Sequence, residues 1–308
     1  MAKLTVVGAG SVGSTTAYAA LLRGVAETVA LYDIDEARVR AEVLDLRHGS
    51  PYFPPAEVVG SADVSVAAGS DVVIVTAGAK QRPGESRLDL ADRSVAIIRD
   101  LMPRLVEQAP RAVYVVVSNP VDVMTYAALA VSGLPRRQVF GSGTVLDSAR
   151  LRTLLAAHAG VAPQHVHAYV IGEHGDSELP LWSSAAVGGV PLVQWPGLDP
   201  PTREAIAEQV RTAAYQIIAG KGATNFAIGV TGVEIAGAVL HDEHRIMPVS
   251  TLLTGYPDLP EVCLSVPCTV SAGGVGEPLL VPHTEEEQTA LRESAYAVRR
   301  VVERLGLG

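Results

Sequence analysis

The chain has 308 residues, of which 48% are hydrophobic and 19% charged, and its formal net charge is −9. This length is enough for two lobes with a sizeable core, and the acidic balance argues against nucleic acid as the main partner. No stretch approaches the roughly 18 apolar residues of a membrane helix, so we expect no membrane partner.

Cysteine use and the N-terminus bear on the cellular compartment. Cys263 and Cys268 are five residues apart in a strand-like run, which places them on opposite faces and argues against a disulfide between them. We expect both to be small buried residues. Because no secretory leader precedes the first predicted strand and cysteines are few, the sequence predicts a cytoplasmic protein.

The first half of the chain alternates strand and helix patterns. Strands are predicted at 4–7, 28–32, 71–76, 112–117 and 138–140, and helices at 11–23, 36–47 and 86–108. Such alternation indicates a parallel sheet with helices on both faces. Nearly continuous apolar strands, such as residues 72–75, are typical of a sheet buried on both sides.

The second half has a different pattern, typical of an α+β lobe. Helices are predicted at 146–159, 202–221 and 225–240, strands before His174 and at 185–193, 246–253 and 262–270, and turns at 273–276. Residues 284–287 form a capping box that begins a C-terminal helix. We therefore predict two domains, residues 1–141 and 142–308.

A glycine-rich motif lies between the first predicted strand and the first helix. Its residues are Gly8, Ala9, Gly10, Ser11, Val12 and Gly13. In this position Gly8 permits a tight turn, Gly10 lets the backbone approach a pyrophosphate, and Gly13 allows close packing of helix and strand. The helix N-terminus would face the phosphate charge.

Asp33 lies twenty residues after Gly13, at the end of the second predicted strand. Its carboxylate can accept hydrogen bonds from ribose hydroxyls and would repel a 2′-phosphate, so the motif favours NAD over NADP. Small residues also follow two later strands: Thr76, Ala77 and Gly78, and Ser118 with Asn119. A dinucleotide could lie across these strand ends, which predicts a doubly wound α/β sheet of the Rossmann type.

The chemical group that stands out is His174, which follows an apolar run and is flanked by glycines at 172 and 175. Imidazole is the usual proton carrier near neutral pH. Asp147 and Arg150 are three apart on one helical face, and Arg87 follows a loop with glycine and proline. Taken singly, these charges would be ordinary surface contacts or solvated side chains.

Taken together, the motifs resemble the NAD-dependent lactate/malate dehydrogenase family. The most specific segments are 8–13, 77–88, 117–122, 141–147 and 171–176, and the resemblance extends from Leu4 to the C-terminal helix. The family fold, a dinucleotide-binding domain followed by a substrate domain, agrees with the division predicted above. The resemblance also implies NAD as cofactor.

The resemblance implies roles for the four charged residues. His174 would be the acid and base of the carbonyl–alcohol conversion, and Asp147 would fix its tautomer and stabilise the imidazolium. Arg150 would hold the substrate carboxylate through two parallel hydrogen bonds. Arg87 would polarise the carbonyl once its loop closes and excludes water.

Further contacts follow from the same resemblance. Asn119 would orient the substrate, Thr224 would line the pocket for its side chain, and Ile228 would pack near the nicotinamide ring. The full set of expected cofactor contacts is Gly8, Gly10, Ser11, Val12, Gly13, Asp33, Thr76, Ala77, Gly78, Val117, Asn119 and Ile228.

Gln81 bears on the choice of substrate. Malate dehydrogenases of the family have an arginine at the aligned position, which pairs the second carboxylate of oxaloacetate. A neutral glutamine would leave that carboxylate unpaired in a closed site, so we expect pyruvate and L-lactate. A malate or larger 2-hydroxy-acid dehydrogenase remains an alternative, as does a non-enzymatic NAD-binding protein, although binding alone would not require a proton carrier.

A second implication concerns control. Family members activated by fructose 1,6-bisphosphate carry a basic pair at the positions of Arg152 and His167, at a subunit interface, and the resemblance implies a homotetramer. The alternative is that both are ordinary surface groups. Histidine pairs His165/His167 and His241/His244 were considered as metal ligands, but no third ligand converges on them at a recognisable spacing, so we expect no metal.

Overall fold

The structure is a computed structural model that describes residues 2–79 and 87–307, with the backbone alone for 87–89. The elements of the first half are β1 (Lys3–Val7), α1 (Ser11–Arg23), β2 (Thr28–Tyr32), α2 (Glu36–His48), β3 (Glu57–Ser61), β4 (Val72–Val75), α3 (Arg87–Gln108), β5 (Val113–Val116), α4 (Val121–Ser132) and β6 (Val139–Gly141). Those of the second half are α5 (Val145–Ala159), β7 (Val166–His167), β8 (Val170–Ile171), β9 (Leu179–Pro180), β10 (Ala186–Val187), β11 (Val190–Pro191), α6 (Pro200–Lys221), α7 (Phe226–Leu240), β12 (Arg245–Leu253), β13 (Val262–Ser271), β14 (Gly274–Pro278) and α8 (Glu285–Arg304).

One large sheet organises the molecule, with strand order β14-β13-β12-β6-β5-β4-β1-β2-β3. Its first-half strands pair in parallel in the spatial order 3-2-1-4-5-6. This order reverses between β1 and β4, where such sheets bind ligands beyond the carboxyl ends of their strands. The predicted doubly wound α/β class is confirmed.

The sheet continues into the second half through antiparallel strands. β12 pairs with β6 at Ser250 and Gly141, and β13 and β14 follow it. Two small sheets, β11-β10-β7 and β8-β9, complete the second half. The predicted α+β character is thus present, while the domain boundary at 141/142 falls between β6 and α5 and stays a prediction.

The core divides into a large hydrophobic cluster around the nine-stranded sheet and a smaller one in the second half. The smaller cluster includes Leu151, Leu155, Val187 and Val210, which come from α5, β10 and α6. The halves meet where α7 packs on α1: a Cβ at Gly229 would lie 2.7 Å from Cγ2 of Thr15. α7 is therefore fixed beside the glycine loop that begins α1.

Several details differ from the sequence prediction, and the two-residue strand β9 was not predicted at all. The strand β3 was missed because it lacks a continuous apolar run. The helix α4 was missed because most of its residues are apolar, so that no helical period appears. The run 185–193 is the hairpin β10–β11, in which Gly188 and Gly189 have φ of 56° and 86°, as a two-residue turn requires. Residues 273–276 include the start of β14.

Other local predictions hold. Thr284 and Glu287 form the expected capping box, and Cys263 and Cys268 are buried free thiols in β13. Within the described ranges, no helix has the length and apolar character needed to cross a bilayer.

Candidate active site

The glycine loop is shaped by backbone contacts. Gly8 has φ of +100°, which favours glycine. A Cβ at Gly13 would lie 1.7 Å from the carbonyl oxygen of Gly8, so this position cannot carry a side chain without moving α1 away from β1. At Gly10, by contrast, a Cβ would meet no heavy atom of the described residues within 4 Å, apart from its chain neighbours. The loop is therefore tightly packed at Gly13 and leaves space for a ligand at Gly10.

Asp33 is held against this loop at the end of β2. Its Oδ2 accepts the Ala9 N–H at 2.6 Å, and its Oδ1 accepts the Asp35 N–H at 3.0 Å. The carboxylate is thereby fixed at the edge of the loop. Because Gly10 precedes α1 without a side chain to cap the helix, the first-turn N–H groups suit an anion.

A cavity of about 750 Å³ joins these features. It is lined by Gly8, Gly10, Ser11, Val12, Gly13, Asp33, Thr76, Ala77 and Gly78, among others. Thr76 donates from Oγ1 to the Val7 carbonyl at 2.9 Å, which fixes the end of β4 beside the loop. An extended cavity with a backbone anion site and a fixed carboxylate has the chemistry that a dinucleotide needs.

The remaining expected contacts lie near α7 and after β5, and one of them borders this cavity. Thr224 lines it directly, on the segment before α7. Ile228, one turn into α7, is half-buried against the large core cluster. Val117 and Asn119 follow β5; Val117 donates its N–H to the Val75 carbonyl at 2.9 Å, and Asn119 is exposed.

The loop that carries His174 is anchored by three successive backbone N–H groups. Gly172 donates to the Ser265 carbonyl of β13 at 2.9 Å, and Glu173 donates to the Ser294 hydroxyl of α8 at 2.8 Å. His174 itself donates its N–H to Oδ2 of Asp122 at 2.8 Å. The three acceptors lie on β13, α8 and α4, so the position of His174 depends on how these elements pack together.

The His174 side chain is paired with Asp147. Nδ1 of His174 lies 2.6 Å from Oδ2 of Asp147, whose other oxygen accepts from Nη1 of Arg150 at 2.6 Å. Asp147 is 1% exposed. The predicted helical pair Asp147–Arg150 is therefore a buried carboxylate shared between a guanidinium and an imidazole, and Nε2 of His174 is the ring nitrogen that lies away from this pair.

Two hydroxyl groups hold α5 against β8, which fixes the spacing between Asp147 and His174. The Val170 carbonyl accepts from Oγ1 of Thr144 at 2.6 Å, and the Val170 N–H donates to Oγ of Ser148 at 2.8 Å. Both hydroxyl groups are buried. The helix that carries the carboxylate is thus tied by hydrogen bonds to the strand that leads into the His174 loop.

This environment changes proton affinities. Burial by itself lowers the pKa of His174, but the charge and hydrogen bond of Asp147 outweigh it and, with smaller effects of Asp122 and Glu178, raise that pKa to about 9. For Asp147, burial acts to raise the pKa, whereas His174 and Arg150 lower it more strongly. The pair is therefore an imidazolium and a carboxylate at neutral pH.

Two acidic residues of the site were not predicted from the sequence. Asp122, in the first turn of α4, accepts from the His174 N–H and from the Ser250 hydroxyl at 2.6 Å, and burial raises its pKa to about 6. Glu178 is 6% exposed and lies beside Asp147 and His174. The sequence offers little signal for either: Asp122 lies on α4, which was not predicted, and Glu178 is one of several acids near His174, with Glu173 and Asp176.

The remaining predicted residues are those for substrate choice, carbonyl polarisation and effector binding. Gln81 and the side chain of Arg87 lie outside the described residues, although the backbone of Arg87 begins α3. Arg152 of α5 places its guanidinium carbon 5.8 Å from the centroid of the Tyr169 ring, and His167 is exposed on β7, which contacts α5. The two lie on neighbouring elements.

The described residues include a group of side chains with a spacing that could hold a metal ion. In the described part of the chain, the group of three that could hold an ion is Asp147, His174 and Glu178, whose ligand atoms lie within 4.8 Å of one another. Neither His165/His167 nor His241/His244 belongs to it. The prediction that the protein uses no metal stays a prediction.

Comparison with known proteins agrees with this geometry. Residues 2–141 match the model for the lactate/malate dehydrogenase NAD-binding domain, and residues 144–305 match that for the lactate/malate dehydrogenase alpha/beta C-terminal domain. An L-lactate dehydrogenase of Bifidobacterium animalis subsp. lactis is 49% identical over 99% of this chain and 97% of its own length.

An L-lactate dehydrogenase of Synechococcus sp. is 50% identical over 98% of both chains. The solved structure of a lactate dehydrogenase from a Medee basin deep-sea metagenome library superposes with a TM-score of 0.96 at 35% identity, covering 99% of each chain. With both domain models matched in order and identity of this level over the full length, the chain belongs to the lactate/malate dehydrogenase family.

Proposed function

We propose that this protein is an NAD-dependent L-lactate dehydrogenase that reduces pyruvate with NADH and a proton, giving L-lactate and NAD, and runs the reverse reaction. The observation that carries the proposal is the buried His174–Asp147 pair, 2.6 Å apart, with Arg150 on the same carboxylate. A carbonyl reduction needs a proton donor and a cation for the substrate carboxylate, and this cluster supplies both.

The cofactor would be held by the first half of the chain. The first-turn N–H groups after Gly10 suit the pyrophosphate, and Asp33 suits the ribose hydroxyls. Gly8 and Gly13 keep the loop close enough to β1 for the cofactor to reach the sheet edge. When bound, NADH supplies the hydride, and the negative charge of Asp33 favours it over NADPH.

His174 supplies and recovers the proton. Asp147 engages Nδ1, so Nε2 carries the proton that passes to the carbonyl oxygen during reduction and returns during oxidation of lactate. Asp147 keeps the imidazolium stable and prevents the ring from turning. Because the raised pKa of about 9 keeps His174 protonated at neutral pH, the resting enzyme is ready to reduce pyruvate.

Arg150 holds the substrate carboxylate beside this pair. Its side chain is 17% exposed and fixed by Asp147, so the guanidinium is oriented before substrate arrives. Arg87 polarises the carbonyl from the loop side, Asn119 orients the substrate, and Thr224 lines the pocket for its side chain. Gln81 sets specificity, because a neutral amide leaves the second carboxylate of oxaloacetate without a partner.

The test is the loss of NADH absorbance after pyruvate or oxaloacetate is added to the pure protein. We expect a higher kcat/KM with pyruvate. A preference for oxaloacetate would support the malate alternative and contradict the role of Gln81. No turnover with either acid, with NADH binding intact, would favour a non-enzymatic NAD-binding protein.

We also propose that fructose 1,6-bisphosphate activates the enzyme through Arg152 and His167. Arg152 supports this, because its Nε is buried without a hydrogen-bond partner among the described residues. Burial lowers the pKa of Arg152, and the charge of Arg245 acts in the same direction. Such a desolvated cation, with an exposed histidine on the neighbouring strand β7, suits a phosphate group.

The effector proposal predicts that the apparent KM for pyruvate falls when the sugar bisphosphate is added. Arg152→Ala should abolish this response, whereas Arg137→Ala, which removes an exposed arginine elsewhere, should retain it. An unaltered KM in the unmodified enzyme would reject the proposal.

Assembly and setting complete the proposal. A homotetramer in the cytoplasm, acting in glycolysis and fermentation, accords with the family membership and with the free thiols of Cys263 and Cys268. Sedimentation analysis of the purified protein tests the oligomeric state.

A further inference from the structure

A third acidic side chain lies beside the proton-transfer pair. Glu178 is 6% exposed, and one of its carboxylate oxygens lies within 4.8 Å of ligand atoms of Asp147 and His174. It follows His174 by four residues and immediately precedes β9. The mechanism proposed above gives this carboxyl group no part.

The surroundings of Glu178 oppose a negative charge. Its Oε1 is buried and has no hydrogen-bond partner among the described residues. Two of the positive groups that act on Glu178, Arg150 and His174, are already bonded to Asp147. An ionised carboxyl group with an unsatisfied buried oxygen is costly, whereas a protonated one is less so.

We propose that Glu178 is a positioning residue that holds a proton beside the His174–Asp147 pair and sets the pH at which His174 releases its own. While Glu178 is neutral, it adds no charge to the cluster. When it ionises, its negative charge favours the imidazolium and delays the loss of the His174 proton. The inference rests on the proposed function and adds a regulator of its proton transfer.

The charges around Glu178 are consistent with this role. Asp147 and Arg150 face it from α5, Arg211 from α6, and His174 from its own loop. Burial, followed by the charge of Asp147, raises the pKa of Glu178 to about 8 against the opposing effect of the three cations. The pKa of His174 is about 9, so His174 and Glu178 lose their protons in overlapping pH ranges. The charge of each group therefore affects the proton affinity of the other.

The activity test is the pH profile of kcat/KM for pyruvate reduction. Glu178→Gln keeps the size and neutrality of the protonated acid but cannot ionise. We expect its alkaline limb to move to lower pH by about half a unit to one unit, because His174 no longer gains a nearby negative charge. The affinity for NADH should not change.

A matched control is Glu208→Gln, which removes an exposed carboxylate that pairs with Arg211 on α6. Its profile should coincide with that of the unmodified enzyme. If Glu178→Gln has a profile identical to the unmodified enzyme, Glu178 does not regulate the pair and the proposal is wrong.

A measurement without substrate separates this inference from the proposed function. Infrared difference spectra of the unmodified protein between pH 6 and 10 should show the carbonyl band of a protonated carboxylic acid being lost with rising pH. Asp122→Asn removes the other buried acid of the site whose pKa is raised, so the band should persist in that variant near neutral pH. Absence of the band from Asp122→Asn would overturn the inference, even if Glu178→Gln fails to fold. Inactivity of the unmodified enzyme toward pyruvate would overturn the proposed function alone.

Discussion

The glycine-loop site and the His174 site are built in opposite ways. The first is made by backbone: the turn at Gly8, the open approach at Gly10 and the packing at Gly13 all lie within one short segment, with Asp33 added from the next strand. The second is made by side chains from distant segments: Asp147 from α5, Asp122 from α4 and His174 from the loop after β8.

Each site is therefore vulnerable to a different kind of substitution. The glycine loop depends on the absence of side-chain atoms, so an added methyl group should damage it while charge matters little at those positions. The His174 site depends on charges held in a buried place, so changes that preserve shape but remove charge should damage it. Single substitutions at the two sites should reveal this contrast.

The largest effect is expected from His174→Gln. Without a proton donor at this position, kcat for pyruvate reduction should fall by about 10³-fold. NADH affinity, measured by fluorescence titration, should be unchanged, because the cofactor cavity does not depend on His174. Such a result would separate chemistry from cofactor binding.

The matched control for this variant is His48→Gln, an exposed histidine at the end of α2, which should leave kcat unchanged. If His174→Gln weakened NADH binding as much as it lowered kcat, the two sites would not be independent and the contrast would fail.

Next in size is Asp147→Asn, which preserves shape and removes charge. His174 should lose its proton at lower pH, since Asp147 is the strongest factor that raises its pKa to about 9. The protonated form is needed for reduction, so the alkaline limb of kcat/KM should move down by about two units. At pH 8 this corresponds to a loss of about tenfold from protonation alone, and above pH 9 the loss approaches about 100-fold.

Lactate oxidation should respond in the opposite direction, because it requires neutral His174 and this form would appear at lower pH in Asp147→Asn. An asparagine has one acceptor oxygen for the two donors that Asp147 binds, Nδ1 of His174 and Nη1 of Arg150, so the ring is held less firmly and kcat should fall even where protonation is equal. Unaltered limbs in both directions would contradict the assignment of Asp147.

A smaller effect is expected from Gly13→Ala, the corresponding test of the first site. The added Cβ meets a backbone oxygen at 1.7 Å, and relieving this clash must shift α1 from β1. We expect a destabilisation of about 1–3 kcal/mol in chemical denaturation and a loss of NADH affinity of about tenfold or more, roughly 1.4 kcal/mol.

Gly220→Ala is the matched control: it lies in α6, where a Cβ would meet no described heavy atom within 4 Å beyond its own helix and chain neighbours. It should leave NADH affinity unchanged. Equal effects of the two substitutions would show that the loss at Gly13 is not caused by the contact with Gly8.

The same contrast explains what could be predicted from the sequence. The residues of the glycine loop follow one another, and their spacing alone indicates strand, turn and helix, so α1 and β2 agree with their predicted bounds. The pairing of Asp147 with Arg150 was also within reach, because both lie on one helix. In each case the informative residues are close in the chain.

The rest required the tertiary structure. α4 was missed because it is too uniformly apolar to show a helical period, and Asp122 was missed with it. The burial of Glu178 arises from the packing of its loop against α5 and from α8, which contacts β9. Sequence spacing carries no signal for such convergence, which explains why two of the buried acids around His174 appeared only in the fold.

The smallest effect, and the finest test of the contrast, is expected from Asp122→Asn. The amide can still accept the His174 N–H through its oxygen and donate to the Ser250 hydroxyl, so the loop keeps its anchor while the charge is removed. Because Asp122 has a pKa of about 6, it is neutral below that pH and charged above it. The variant should therefore match the unmodified enzyme at pH 5, and at higher pH its alkaline limb for pyruvate reduction should move down by less than in Asp147→Asn. A large loss of kcat at every pH would instead show that Asp122 acts through backbone anchoring, and the His174 site would then share the sensitivity to geometry that distinguishes the glycine loop.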